Sequence, residues 1–204
     1  MGKRQDGEKS RDRILDAAEM LFRQRGYHGV SLIDVAQAVQ MRKPSLYHHF
    51  PEGKEELFLS VHDRMFARMG NALSDLLTDT VATAAVGENI LEKGLHAAGR
   101  WFLAQPPMFL LSMLHHDMPG LREETRNRLI KGSYGVIMEP LAHLVTRALE
   151  RGDVGEVNPH IVAGNFLSVF EGTVIAAQTG FGDDVTAMLR ESVKILVYGA
   201  APRK

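Results

Sequence analysis

Ser31-Leu32-Ile33-Asp34-Val35-Ala36-Gln37-Ala38-Val39-Gln40-Met41-Arg42-Lys43-Pro44-Ser45-Leu46-Tyr47-His48-His49-Phe50 is the stretch that decides the fold. Ser31 is a good helix N-cap, and Asp34 three places on makes a weaker form of the capping box. Ile33, Ala36 and Val39 then supply a buried helical face. A turn follows at Gln40–Arg42. Pro44 is tolerated only in a first helical turn, so it marks a second short helix over about 44–49. Pro51 and Gly53 end that segment. Two short helices joined by a tight turn read as a helix-turn-helix.

Upstream, Ile14, Ala17, Ala18, Leu21 and Phe22 fall on one helical face, which predicts a helix from about Ser10 to Arg25 with Gly26 as its stop. Downstream, a long helix begins near Lys54, carried by Leu57, Phe58, Val61, Met65 and Met69 and prolonged by Leu73, Leu76 and Leu77. The stretch 79–88 reads as a loop or frayed end. Further helices are expected at about 88–104, 106–116, 120–151, 159–179 and 184–198, separated by Pro- and Gly-rich punctuation. Pro140 should kink the helix of 120–151 or split it in two. No long stretch alternates with period two. The fold class is therefore all-α: an N-terminal three-helix helix-turn-helix domain over 1–57, and a C-terminal helical bundle over 58–204.

The third helix is rich in hydrogen-bonding tips. Arg42, Lys43, Ser45, Tyr47, His48 and His49 are polar or aromatic, while Leu46 and Phe50, four apart, remain to anchor it. A helix of that kind suits groove edges and phosphates, and the major groove admits one helix. His49 is equally placed to pack against the first helix. Lys54 falls in the first turn of the next helix, where amides can hold a phosphate beside its charge. Lys3, Arg4, Lys9, Arg11 and Arg13 make a basic arm able to reach a groove or backbone, or simply disordered. Residues 1–50 hold 9 Lys and Arg against 6 Asp and Glu, a net of +3; the whole chain is at −1. A basic head on an acidic body fits DNA contact at one end.

Arg13-Ile14-Leu15-Asp16-Ala17-Ala18, Leu21-Phe22, Gly26-Tyr27, Ser31 to Ala36, Ser45 to Phe50 and Gly53-Lys54-Glu55-Glu56-Leu57 together resemble the N-terminal domain of the tetracycline-repressor (TetR) family, over about residues 10–57. The resemblance implies an all-helical dimer with a DNA-binding head and a larger ligand-binding and dimerisation body. It implies repression of transcription, with release from DNA on ligand binding. It implies DNA contact by Ser31, Lys43, Ser45, Tyr47, His48 and Lys54. Arg42, Pro44 and His49 complete the candidate DNA-binding set. Two departures stand out. The family usually has glycine where this chain has Gln40, and a Ser or Thr cap where it has Arg42. A positive φ at Gln40 would cost on the order of 1 kcal/mol. The Arg42 guanidinium can serve phosphate or guanine recognition instead of capping.

In the body, Met65, Met69, Trp101, Phe102, Phe109, Met113, Phe166 and Phe170 suit an adaptable apolar pocket, with His116 as a polar anchor. Each also fits an ordinary core. His115-His116-Asp117 does not make a metal clamp, because neighbours on a helix point about 100° apart. No metal or cofactor is expected, and no nucleophile–base pair or phosphate loop points to an enzyme. The helix expected at 159–179 is apolar on more than one side, so it must be covered twice. Ala163, Leu167 and Val174 there, with Met188, Ser192 and Ile195 on the last helix, are the expected two-fold dimer interface. The alternative is full burial in the monomer.

The chain of 204 residues has an ordinary globular composition and no cysteine, which excludes disulfides and thiolate chemistry. Its start is polar, unlike a signal peptide, and its unbroken apolar runs are too short to cross a bilayer. The expected setting is the cytoplasm, without a membrane. The expected partners are a near-palindromic double-stranded DNA operator, a small apolar ligand and a second copy. A DNA-binding architectural or partner-docking protein without a ligand is the competing reading.

Overall fold

The computed structural model describes residues 2–105, 118–180 and 184–199, and of residues 2–6, 133 and 134 the backbone alone. All regular structure among the described residues is helical. The helices are α1 (Gly2–Arg25), α2 (Leu32–Ala38), α3 (Lys43–His49), α4 (Lys54–Ala82), α5 (Ile90–Ala104), α6 (Glu123–Arg151), α7 (Pro159–Gln178) and α8 (Val185–Gly199), with a 3₁₀ turn over Met118–Gly120. The helix expected at 106–116 lies outside the described residues.

The local chemistry explains most boundaries. Gly26 ends α1 with φ 64°, and its N–H donates to the Phe22 carbonyl, as a left-handed C-terminal residue should. The helix begins at Gly2 rather than Ser10. Residues upstream of Ile14 lack an apolar face to announce them, yet extending a formed helix needs no new nucleus. In α2 the buried residues are Leu32, Val35 and Ala36, with Val39 after it, whereas Ile33 is 51% exposed. The apolar period thus starts at Leu32, one place earlier than the expected face through Ile33. Asn89 and Asn158 cap α5 and α7 through their side-chain oxygens.

Helix α6 runs without a break through Pro140, so of the expected kink or split, the split does not occur. Pro140 has no N–H to offer, and the carbonyl four residues back, at Val136, loses its helical donor. Helix α4 runs on to Ala82, into the stretch expected to be frayed.

Packing groups the described chain into two units. The first holds residues 2–67 and 118–133: α1 to α3, the start of α4 and the start of α6. Its core includes Ile14, Val35, Leu46, Phe50, Leu57 and Phe58, all at most 1% exposed. The second holds the rest. There α8 packs on α5 and on α7, around Leu95, Leu141, Phe166 and Val193, each fully buried. Helix α7, at 20 residues and mean hydropathy 1.3, is long and apolar enough, by length and composition only, to cross a membrane. Counting unbroken apolar runs misses this, because Asn165, Ser168 and Glu171 interrupt the run.

Candidate nucleic-acid interface

The turn before α3 turns on one residue. Gln40 adopts φ 57°, the only non-glycine among the described residues with positive φ. The Met41 N–H donates to the Ala36 carbonyl across it at 2.9 Å. Arg42 then enters α3 in extended conformation with no side-chain cap, and Pro44 sits in the first turn. The N–H of Ser45 donates to the Arg42 carbonyl at 2.9 Å.

Within α3 only Leu46 is buried, and Phe50 beyond it is 1% exposed. These two pin the helix to the core. Arg42, Lys43, Pro44, Ser45, Tyr47 and His48 all stay exposed, Tyr47 at 43%. The Lys43 ammonium lies 5.9 Å from the Tyr47 ring centroid, an arrangement that keeps both side chains on one outer face. His49 is partly buried; burial, then the neighbouring His48 and Arg11 charges, hold its imidazole below the ordinary pKa. His49, beside the core, thus differs from its exposed neighbours.

Two helix starts flank α3. At α2 the Ser31 hydroxyl accepts from the Asp34 N–H at 3.2 Å and donates to the Asp34 carboxylate, while the Ser31 N–H donates to Asp34 Oδ2 at 2.7 Å. The capping box is therefore complete, and these hydrogen bonds, with Arg25 adding charge, hold Asp34 below its ordinary pKa. At α4 the Lys54 ammonium sits 4.1 Å above the Tyr27 ring, a cation–π geometry. Burial pushes Lys54 below its ordinary pKa against the pull of Asp34, and burial likewise raises the Tyr27 phenol. Tyr27 is the residue that local reasoning missed as part of the site. Nothing in spacing joins position 27 to position 54; only packing does.

The basic arm turns out otherwise than expected. The Arg11 guanidinium donates to the His49 carbonyl at 2.9 Å and to Ser60 Oγ at 3.1 Å, and lies 4.4 Å over the Phe50 ring. Arg13 donates to the Val39 carbonyl at 3.3 Å. Both are bound to their own unit, and the segment is helical rather than disordered.

In the second unit, Trp101, Phe102, Phe166 and Phe170 form one chain of rings, with centroids 5.1 Å apart for Trp101 and Phe102 and 5.3 Å for Phe102 and Phe170. Met69 is partly buried there. Met65 is buried in the first unit instead and does not join that cluster. Phe109, Met113 and His116 lie outside the described residues. A separate groove of about 480 Å³ runs between α4 and α6, lined by Leu77, Val81, Pro140, His143, Leu144 and Arg147 among others. No group of residues able to hold a metal occurs among the described residues.

Of the expected interface residues, Ala163 is fully buried in its own bundle, so its side chain has no surface left for a second copy. Small size let it fit inward as well as outward. Leu167, Val174, Met188 and Ser192 are partly buried. Ile195 is 73% exposed, as are Tyr198 at 70% and Ile161 at 61%.

Comparison with known proteins places this arrangement. Residues 14–61 match the bacterial regulatory proteins of the tetR family. The HTH-type transcriptional regulator LmrA of Bacillus subtilis is 37% identical over 68 residues, 33% of this chain and 36% of LmrA. The biofilm operon icaADBC negative transcriptional regulator IcaR of Staphylococcus epidermidis is 42% identical over 48 residues, 24% of this chain and 25% of IcaR. The matched segments thus span about a third or less of these relatives. The crystal structure of FadR from Bacillus subtilis in complex with stearoyl-CoA shares the fold, with TM-score 0.68 and 16% identity over 92% of this chain and 97% of that one. The segment that matches the tetR family of bacterial regulatory proteins, residues 14–61, coincides with the strained turn, the exposed α3 and the Lys54 start of α4.

Proposed function

We propose that the protein is a cytoplasmic, non-enzymatic transcriptional regulator that binds double-stranded DNA as a homodimer. One observation carries this reading. Helix α3 buries Leu46 and turns every other long side chain from Arg42 to His48 outward, which is what insertion into a major groove requires. In this reading Ser31 and Lys54 hold phosphates at the two flanking helix starts, Arg42, Lys43, Pro44, Ser45, Tyr47 and His48 meet the groove, and His49 lies at its edge. The two-fold pairing of α7 and α8 covers Leu167, Val174, Met188, Ser192 and Ile195, and the operator is correspondingly near-palindromic.

The regulator represses, in line with the negative transcriptional regulator IcaR, and a small apolar or aromatic ligand releases it. The Trp101, Phe102 and Phe170 ring cluster supports the apolar character, and the fold neighbour FadR, solved in complex with stearoyl-CoA, supports a ligand-binding role for the body. Phe166, Met69, Phe109, Met113 and His116 complete the proposed set. The ligand acts only through its difference in affinity for two dimer shapes.

The test is selection of binding sites from random duplex DNA, followed by titration of the selected duplex with Tyr47→Ala and Lys54→Ala. Both variants should bind weakly while remaining dimeric, and Lys54→Ala should lower the salt slope by roughly one unit. Wild-type protein that selects no sequence and ignores duplex at low salt refutes the function.

A further inference from the structure

We propose that the segment 118–125 is a positioning clamp for Lys54: it holds the first turn of α4 through Glu55 and the Tyr27 platform through His28, and so sets where the lysine meets DNA. This rests on the reading that Lys54 contacts a phosphate. All of its parts lie in the first unit.

Two independent sets of contacts converge on Lys54. The first is polar. The Glu55 carboxylate accepts from Arg122 Nε at 2.6 Å, from the Arg122 backbone N–H at 3.3 Å and from Thr125 Oγ at 2.8 Å. Glu55 adjoins Lys54 in the opening turn of α4, and its side chain is only 15% exposed. Thr125 is buried at 3% exposure. Arg122 also reaches Glu52 at 3.5 Å, tying the loop before α4 to the same point. Burial by itself would raise the Glu55 pKa, but the donated hydrogen bonds outweigh it and hold the group below the ordinary value.

The second set is steric. Gly120 sits directly on His28: a Cβ there would overlap the imidazole. The His28 ring stands edge-on to Tyr27 with centroids 5.3 Å apart, and the Tyr27 ring is the surface beneath the Lys54 ammonium. One short stretch therefore braces both the backbone that carries Lys54 and the ring that orients its charge. A salt bridge placed only for stability needs neither the buried threonine nor the glycine contact.

The sign of one substitution separates this role from plain electrostatics. Glu55→Gln removes a negative charge from the DNA-facing side, so charge alone predicts tighter binding. The clamp predicts the reverse. Thr125→Val changes no charge at all and removes one donor. Binding of the selected duplex is measured across a salt series for the wild type, Lys54→Ala, Glu55→Gln and Thr125→Val, and for the two double variants with Lys54→Ala, below their melting temperatures. The expected result is roughly three- to tenfold weaker binding and a lower salt slope for Glu55→Gln and Thr125→Val, with neither adding to the loss in Lys54→Ala. Glu55→Gln binding as tightly as wild type or better, or losses that multiply with that of Lys54→Ala, overturns the clamp. If Glu55→Gln does not fold, Thr125→Val decides alone, and unchanged binding by it refutes the proposal. Unchanged binding by Lys54→Ala removes the phosphate contact and the clamp together. That outcome differs from an intact lysine effect with silent clamp variants, which removes the clamp alone.

Discussion

Gly70 of α4 lies so close to Val136 of α6 that a Cβ at position 70 would overlap Val136 Cγ1 and stand 2.8 Å from the Val136 carbonyl oxygen. That carbonyl is the one Pro140 leaves without its helical donor. The two helices thus meet where one lacks a side chain and the other a hydrogen bond. Gly70→Ala should destabilise the protein by about 1–3 kcal/mol, the usual cost of overpacking a filled interior. Val136→Ala in the same chain should recover part of that loss, since it clears Cγ1 but not the carbonyl. Urea denaturation of the three variants measures both.

The turn at Gln40 stores strain that glycine would not. Gln40→Gly should stabilise the protein by about 1 kcal/mol, because a left-handed φ costs glycine nothing. The gain is offset in part by the greater freedom of glycine in the unfolded chain. Gln40→Val should lose stability, β-branched residues being least able to hold positive φ. A thermal melt in which Gln40→Gly falls below wild type would contradict the φ of 57°.

Arg11 bolts α1 to the end of α3. Its guanidinium serves the His49 carbonyl, the Ser60 hydroxyl and the face of Phe50 at once. Arg11→Ala should cost about 2 kcal/mol, in the range for hydrogen bonds to charged donors. Arg11→Lys should restore little of it, since an ammonium lacks the planar fork. Were Arg11 a free arm for DNA, its removal would leave the melting temperature unchanged.

Acid should loosen the Glu55 contacts. The folded pKa of Glu55 lies below its ordinary 4.5. Its contribution is then fully present above that value and is lost as pH falls through the folded pKa. Wild-type protein should lose melting temperature over this acid window faster than Glu55→Gln does. Parallel losses in the two proteins would show that Glu55 contributes nothing to the dependence.

Ile195, 73% exposed on α8, tests the proposed pairing. Ile195→Glu should convert the dimer to monomer in sedimentation while leaving the helical circular dichroism unchanged, because the side chain supports no core of its own. A dimer that survives this change and Val174→Glu as well assembles through some other face.

The head was readable because its signals are local. Ser31 with Asp34, Pro44 in a first turn, and Leu46 with Phe50 each act within four residues, and each does in space what spacing implied. The departure at Gln40 was readable too, since a turn that usually takes glycine announces the φ it needs. Ile33 was misread because a seven-residue helix offers too few positions to fix the phase of its apolar face. Arg11 and Arg13 were misread because a cation's sequence position does not say which carbonyl it will find. Ala163 is apolar and small, and either side of α7 would have accepted it.

Sequence by itself determined that this chain is helical, where its head turns, and which helix is left polar enough to face DNA, because caps, turns and helical periods are interactions between near neighbours. Tertiary structure alone decided that Tyr27 lies beneath Lys54, that Glu55 is held by Arg122 and Thr125, and that Gly70 meets Val136. Those pairs are separated by tens of residues, and their energies depend on which surfaces pack together, a choice that no local pattern encodes.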